Sequence, residues 1–478
     1  MYDVIIVGTG FSGLGMAIAL KKAGRDNFVI LEKATDLGGT WRDNTYPGCA
    51  CDIQSNMYSF SFEQNPSWTR AFPRQEEIWD YLRATSDKYG VTRHIRYGQE
   101  VTGAVFADDH WTVTTANGEQ VRARAVVLGI GALHLPSYPK IKGLETFEGP
   151  AFHSAEWDHS VDLRGKRVAV IGTGASAVQF VPRLAAQVAR LDVYQRTPPW
   201  IIPKADRRVG KWEQALYRAV PAVQKLYRGT VFWRLEARAL GFVHPRLMGI
   251  AAMVARAHMR RQVPSADLRA QLTPDYTIGC KRILISNDYY PALGRPHVDL
   301  ITDGISHVTP TGIVTGDGEH REVDAIVYGT GFHVTDALNG QRITGRDGLD
   351  LTDAWKDGIE TYLGIAIAGF PNAFVLLGPN TGLGHNSVVF MIEQQVRYVM
   401  QALALLDDAR TVEVRPAAQR QFNEDIQRKL RGAVWNAGGC QSWYLDEHGV
   451  NRTTWPGFAW SYRTAVRRLN RSHYEVKR

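Results

Sequence analysis

Little in this chain is suited to crosslinking, metal binding or membrane insertion. Four cysteines in 478 residues, Cys49, Cys51, Cys280 and Cys440, are too few and too scattered for a disulfide framework, and they lack the pairing of zinc ligands. A reducing compartment suits such a set. No uninterrupted apolar run reaches the ~20 residues that span a bilayer. Met1 and Tyr2 lead straight into the first apolar strand, which leaves no room for a charged and apolar leader. The expectation is a globular protein of two or three domains in the cytoplasm. The formal charge of +8 and pI near 9.2 fit nucleic acid, anionic lipid or cofactor phosphates equally well, so charge alone decides nothing.

What the chain has is glycine in pattern, twice. In VIIVGTGFSG an apolar run Val4 to Val7 meets Gly8, Gly10 and Gly13; in VAVIGTGASA a second run meets Gly172, Gly174 and Ala177. Each reads as strand, tight turn and helix start. Small residues there let the backbone approach a pyrophosphate, while the helix start aims free N–H groups and its positive dipole end at it. The strand after the first loop, Phe28 to Leu31, ends in Glu32, about 20 residues on, where a carboxylate accepts ribose hydroxyls and repels a 2′-phosphate. The first site should therefore hold FAD or NAD. After the second loop, Leu191 to Tyr194 ends in Arg196, a guanidinium suited to a 2′-phosphate, with Lys281 as a second cation. The second site should prefer NADPH over NADH.

Other stretches carry weaker signals. The loop GGTWRDNTYPGCACD, Gly38 to Asp52, is shaped to wrap a ligand, with Trp41 and Tyr46 available to flank a flat ring; Cys49 and Cys51 lack C-x-x-C spacing and read as buried or idle thiols. Arg74 to Tyr89 reads as a helix, and Val101 to Phe106, Trp111 to Thr115 and Val121 to Leu128 as a strand meander. Between Lys204 and Arg261 thirteen Lys and Arg face three acids, a surplus of ten that exceeds the charge of the whole chain. That segment reads as a helical insertion broken at Pro221, its basic face either solvated or a weak membrane-surface patch. Near the C-terminal end, GPNTGLGHNSVV runs into a helix start, and Trp443, Tyr444, Trp455, Phe458 and Trp460 form an aromatic set that either walls a pocket or packs between domains.

The stretch joining the two loops, FEGPAFHSAEWD, carries Phe147, Gly149, His153, Trp157 and Asp158 in the order F-x-G-x-x-x-H-x-x-x-W-[PD]. With Gly38, Gly39, Trp41, Tyr46, Pro47, Gly48 and Asp52 in G-G-x-W-x(4)-Y-P-G-x(3)-D, it resembles the type I Baeyer-Villiger monooxygenases over essentially the whole length. The resemblance implies an α/β fold with two dinucleotide-binding, Rossmann-like domains. An FAD domain would be made of residues 1–150 and 331–478, and an NADP domain of 151–330 with its helical insertion near 204–275.

It also implies roles. Arg282 matches the arginine that stabilises the flavin peroxide, Asp52 the carboxylate beside it, Lys281 and Arg196 the 2′-phosphate ligands, and Trp443 an aromatic near the nicotinamide. His153 matches a histidine outside the chemistry that couples domain movement to cofactor binding. The cofactor set is completed by Thr173, Ser176 and Thr197, and by Tyr58 and Val101. The implied reaction oxidises a ketone, lipophilic in character, to an ester or lactone with NADPH and O2, with sulfoxidation as a side activity and no nucleic-acid partner. Two rivals stand beside it: a flavin N- or S-oxygenase acting on soft nucleophiles, and a non-oxygenating NADPH-flavin redox or sensor protein.

Overall fold

The first strand, Tyr2–Val7, is apolar on both faces because it lies inside a sheet: Val4, Ile5, Ile6 and Val7 are all buried. In the computed structural model, which describes residues 1–334 and 340–478, it pairs in parallel with Phe28–Leu31 on one side and Gln120–Leu128 on the other. Val101–Ala107 and His110–Thr115 continue the sheet as the antiparallel meander that their alternation predicts. The distal part of the chain returns to this sheet. Arg342–Thr344 pairs with Val101–Ala107, and Ala373–Val375 with Gln120–Leu128, both in parallel. Helix Phe11–Lys22 packs on the returning helix Val388–Leu405, whose first turn is capped by Ser387.

A second sheet of five parallel strands lies between the two passages through the first, in the order Val298–Ile301, Arg190–Tyr194, Arg167–Ile171, Ala325–Tyr328, Ala151–His153. All four pairings are made by short apolar strands of the kind that parallel sheets bury. The basic segment forms helices Lys211–Ala219, Pro221–Val243, Met248–Gln262 and Ala266–Gln271. The first two meet at Val220, since proline fits a helix's first turn and not its interior. Both ends of the insertion come together where Ile201–Ile202 pairs in parallel with Leu284–Ile285.

Two expectations need correction. Cys280 and Cys440 are joined in a disulfide, although they lie 160 residues apart. The pairing depends on the turn after the insertion meeting the C-terminal loop in space, which no sequence spacing announces, and it removes the ground for inferring a reducing compartment. Cys49 and Cys51 are free and buried, as expected, and burial pushes the Cys49 thiol up to about 12. The basic insertion is also only partly a solvated face. Arg228 is buried, and its Nη1 donates to the carbonyls of Asn56 (2.6 Å) and Ser59 (3.0 Å), because the insertion lies against the loop after Asp52. Among the described residues no helix is long and apolar enough to cross a membrane.

Candidate active site

The two glycine loops have the same geometry. Gly8 has φ +96°, and a Cβ there would lie 2.7 Å from the Gly129 carbonyl oxygen; Gly172 has φ +107°, and a Cβ there would lie 2.5 Å from that of Gly329. Gly10 and Gly174 stand at the N-caps of helices Phe11–Lys22 and Ala175–Leu184 in extended conformation, neither with a side chain to satisfy the first-turn N–H groups. Around Gly10 a Cβ would meet nothing within 4 Å. Open space before an uncapped helix start is what a pyrophosphate requires, so these residues fit a dinucleotide.

The ends of the second strands differ. Glu32 is buried; its Oε2 accepts from Thr9 N (3.1 Å) and Oγ1 (2.5 Å), its Oε1 from Ala34 N (3.0 Å), and Arg42 Nη1 lies 3.0 Å away. The carboxylate is thereby fixed at the mouth of the first loop. Arg196 is exposed beside the second loop, near enough to Lys281 that its charge adds to burial in lowering the lysine pKa. Two cations that repel one another in this way gain from a bound anion. Thr173, buried, bonds through Oγ1 to the Thr197 carbonyl (3.3 Å), and Ser176 lies in the first turn of the helix that follows.

Between the loops, Arg282 Nε donates to Asp52 Oδ2 at 2.9 Å, and a second contact runs from Nη2 to the same oxygen. Arg282 follows the insertion and Asp52 ends the Gly38–Asp52 loop, so the pair ties the two regions together. The Asp52 charge holds the guanidinium firmly protonated, while 41 % of the Arg282 side chain still faces the cleft. The same loop sets Trp41 against Tyr58: the indole N–H donates to the phenol at 3.1 Å, and both Trp41 and Phe11 meet Tyr58 edge to face. Tyr46 turns away from Trp41 and donates to Gln179 Oε1 (3.0 Å) on the helix of the second loop.

The sequence does not single out Gln179, and it gives Tyr444 only as one of an aromatic set. Gln179 bonds both the N–H (3.2 Å) and the carbonyl (2.9 Å) of Ala50, a two-point clamp on the Asp52 loop. Tyr444, beside Trp443, is the buried member of that pair, and its phenol, pushed up by burial to about 12, feels the charges of Arg282 and Asp52. Trp443 stays 43 % exposed and leans on Tyr444 with ring centres 4.4 Å apart. The signal was in the SWY triplet, but nothing in it ranks one aromatic over the other. Val101 is a buried strand residue opposite Thr115. His153 ends the outer strand of the second sheet, fully buried, its Nδ1 accepting from Ala155 N (3.1 Å) and its ring against Tyr138 and Phe332. Its ring meets Tyr138 and Phe332 rather than Arg282 or Asp52.

Residues 5–212 match the family model described as pyridine nucleotide-disulphide oxidoreductase. A Baeyer-Villiger monooxygenase of Pseudomonas aeruginosa is 52% identical over 99% of this chain and 91% of its own length. The chain belongs to the Baeyer-Villiger monooxygenases. A solved steroid monooxygenase bound to NADP is similar with a TM-score of 0.89 and 31% identity over 100% of this chain and 99% of its own. The structure of OTEMO with FAD and NADP is similar at 0.90 and 27%, over 99% of each chain. As a Baeyer-Villiger monooxygenase this chain is an FAD- and NADPH-dependent oxidoreductase that uses O2 on ketones.

Proposed function

We propose that residues 1–150 and 331–478 hold FAD, that residues 151–330 hold NADPH, and that a ketone reacts in the cleft between them at Arg282. The observation that carries this reading is the Arg282–Asp52 pair, a cation that cannot give up its proton, fixed by a carboxylate from the opposite side of the cleft. Gly8, Gly10 and Gly13 seat the FAD pyrophosphate and Glu32 its ribose; Gly172, Thr173, Gly174 and Ser176 seat that of NADPH, with Arg196, Thr197 and Lys281 around the 2′-phosphate. Bound FAD, reduced by NADPH, supplies the activation of O2.

The protein's part is positional and electrostatic. Arg282 faces the negative charge that develops on oxygen during attack on the carbonyl, and Asp52 sets the guanidinium's orientation. Tyr444 and Trp443 close the cleft against water. Overall, ketone, O2, NADPH and a proton become ester or lactone, NADP+ and water. Incubation with a cyclic ketone under isotopically labelled O2 tests this. One labelled oxygen in the lactone is expected, and NADPH oxidation without any ester from a broad ketone panel would sink the reading.

A cytoplasmic location and a weak membrane contact belong to the same proposal. Leu226, Trp233, Ile250 and Met253 are exposed on the insertion among its cations, which supports a lipid-facing surface. Co-flotation with anionic vesicles that survives in neutral vesicles or high salt would argue against an electrostatic contribution.

A further inference from the structure

Asp52 also lines a cavity of about 150 Å³, together with Phe72, Ile202, Ile285, Arg234 and Arg238. The two arginines are four residues apart on helix Pro221–Val243, on one face, and like charges at that spacing repel. Among the described residues no carboxylate forms an ion pair with either. Arg234 donates to the neutral amide oxygen of Gln54 at 2.7 Å, and Arg238 has neither a hydrogen bond nor a carboxylate partner among the described residues.

The acids within reach are engaged elsewhere. Asp52 is held by Arg282, and Asp206 by Arg70 at 2.8 and 2.6 Å. Glu236, on the same helix, turns to its other side to accept from Asn386 (2.7 Å), His385 (3.1 Å) and Trp460 N (3.2 Å). A third cation, Lys204, lies 5.1 Å above the Phe72 ring. Both arginine side chains remain partly exposed; partial burial and the Arg234 charge push the Arg238 pKa down, a shift that an anion between the two would oppose. The remaining walls are apolar and suit a hydrocarbon chain.

We propose that the ketone substrate is an oxo carboxylic acid, its carboxylate held by Arg238 and Arg234 and its carbonyl presented at Arg282. This rests on the Baeyer-Villiger reading of the site. One oxygen atom of O2 enters between the carbonyl and its migrating carbon, that C–C bond breaking as the C–O bond forms. The other oxygen leaves as water, reduced by the hydride equivalent of NADPH together with one proton. The product is an ester that still bears the carboxylate.

The test uses the full chain loaded with FAD, NADPH as reductant, and oxo acids of graded length, each against its methyl ester. The expected kcat/KM ratio of acid to methyl ester is about 10- to 100-fold, mainly through KM, as for a charge-assisted contact. Arg234→Gln with Arg238→Gln should bring that ratio close to one, and Arg238→Lys should keep part of it. Calorimetry of acid binding to the NADP+-loaded protein gives a readout independent of turnover and should lose the same factor. Equal turnover of acid and methyl ester by the parent, or a ratio untouched by the double substitution, overturns the proposal. A rise in the KM for NADPH that is the same with both substrates also overturns it, by assigning the arginines to a cofactor phosphate. Arginine-dependent acid binding without ester formation would instead support the anion site and sink the Baeyer-Villiger reading.

Discussion

The two glycine loops of this chain are near copies in backbone and opposites in charge. Gly10 has φ −74°, ψ −169° and Gly174 φ −76°, ψ −170°, and each loop's first glycine lies against a carbonyl from the strand that leaves its unit. They diverge at the third position. A Cβ on Gly13 would lie 1.9 Å from the Gly8 oxygen, whereas Ala177 has a methyl there with room for it. They diverge again at the strand end, where Glu32 is buried and fixed by Thr9 while Arg196 is exposed. On the proposed reading, backbone geometry makes each loop a pyrophosphate seat, and one side chain about 20 residues later selects the dinucleotide.

The sharpest way to break the likeness is Gly13→Ala. With no space for the methyl, the first loop must open, and the purified protein should lose its FAD and its yellow colour, while the second loop, which already carries Ala177 at that position, should still bind NADP+. Flavin content after acid release measures the first and calorimetry the second. Next in size is Arg282→Ala, between the loops. Loss of the fixed charge is expected to raise the oxygenation barrier by roughly 3 to 4 kcal/mol, so NADPH is still consumed, O2 is diverted to hydrogen peroxide and ester nearly disappears in product chromatography. Third, Arg196→Ala should shift the NADPH-to-NADH efficiency ratio by about 1.5 to 3 kcal/mol and Glu32→Gln should not, which steady-state kinetics with both cofactors resolves.

The smallest effect concerns where the two units cross. The strand exits at Gly129 and Gly329 lead to segments bridged at Pro136 and Phe332, and His153 lies against Tyr138 and Phe332 there. Burial lowers the His153 pKa below 6.5, so the folded protein binds a proton less readily than the unfolded chain. Stability should therefore fall as pH drops below about 6.5 and level off under the lowered folded value. In thermal melts His153→Asn should flatten that slope without shifting cofactor preference. An unchanged slope would remove this histidine from the account.

What could be read in advance followed from local physics. The loops, the meander and the break at Pro221 each depend on residues close together in sequence, through turn glycines, alternation or a missing N–H. The Asp52–Arg282 partnership was legible only through the family resemblance, since the residues are 230 apart. Nothing local announced the Cys280–Cys440 bond, the burial of Arg228, the Gln179 clamp or the cavity with its two arginines. Each is created by the insertion or the C-terminal loop folding over the Asp52 loop, and composition counts such cations as surface.

The joined ends of the insertion have a consequence for how such a chain could have been assembled. Ile201–Ile202 and Leu284–Ile285 leave the NADP side as adjacent parallel residues, with Leu284 N bonded to the Trp200 carbonyl at 2.9 Å. In topology the helices between them form a cassette that leaves and re-enters at one place, its parallel ends joinable by a crossover of about a dozen residues. In energy they do not. Removing the cassette would take Glu236 from Asn386, His385 and the backbone N–H groups of Ala459 and Trp460, and would take the Arg228 guanidinium from three carbonyls of the loop after Asp52. Buried donors and acceptors left in this way cost about 1 to 3 kcal/mol each. The segment is held by what its neighbours would lose, and shortened variants should be sought in the turn around Pro245 rather than at the seam.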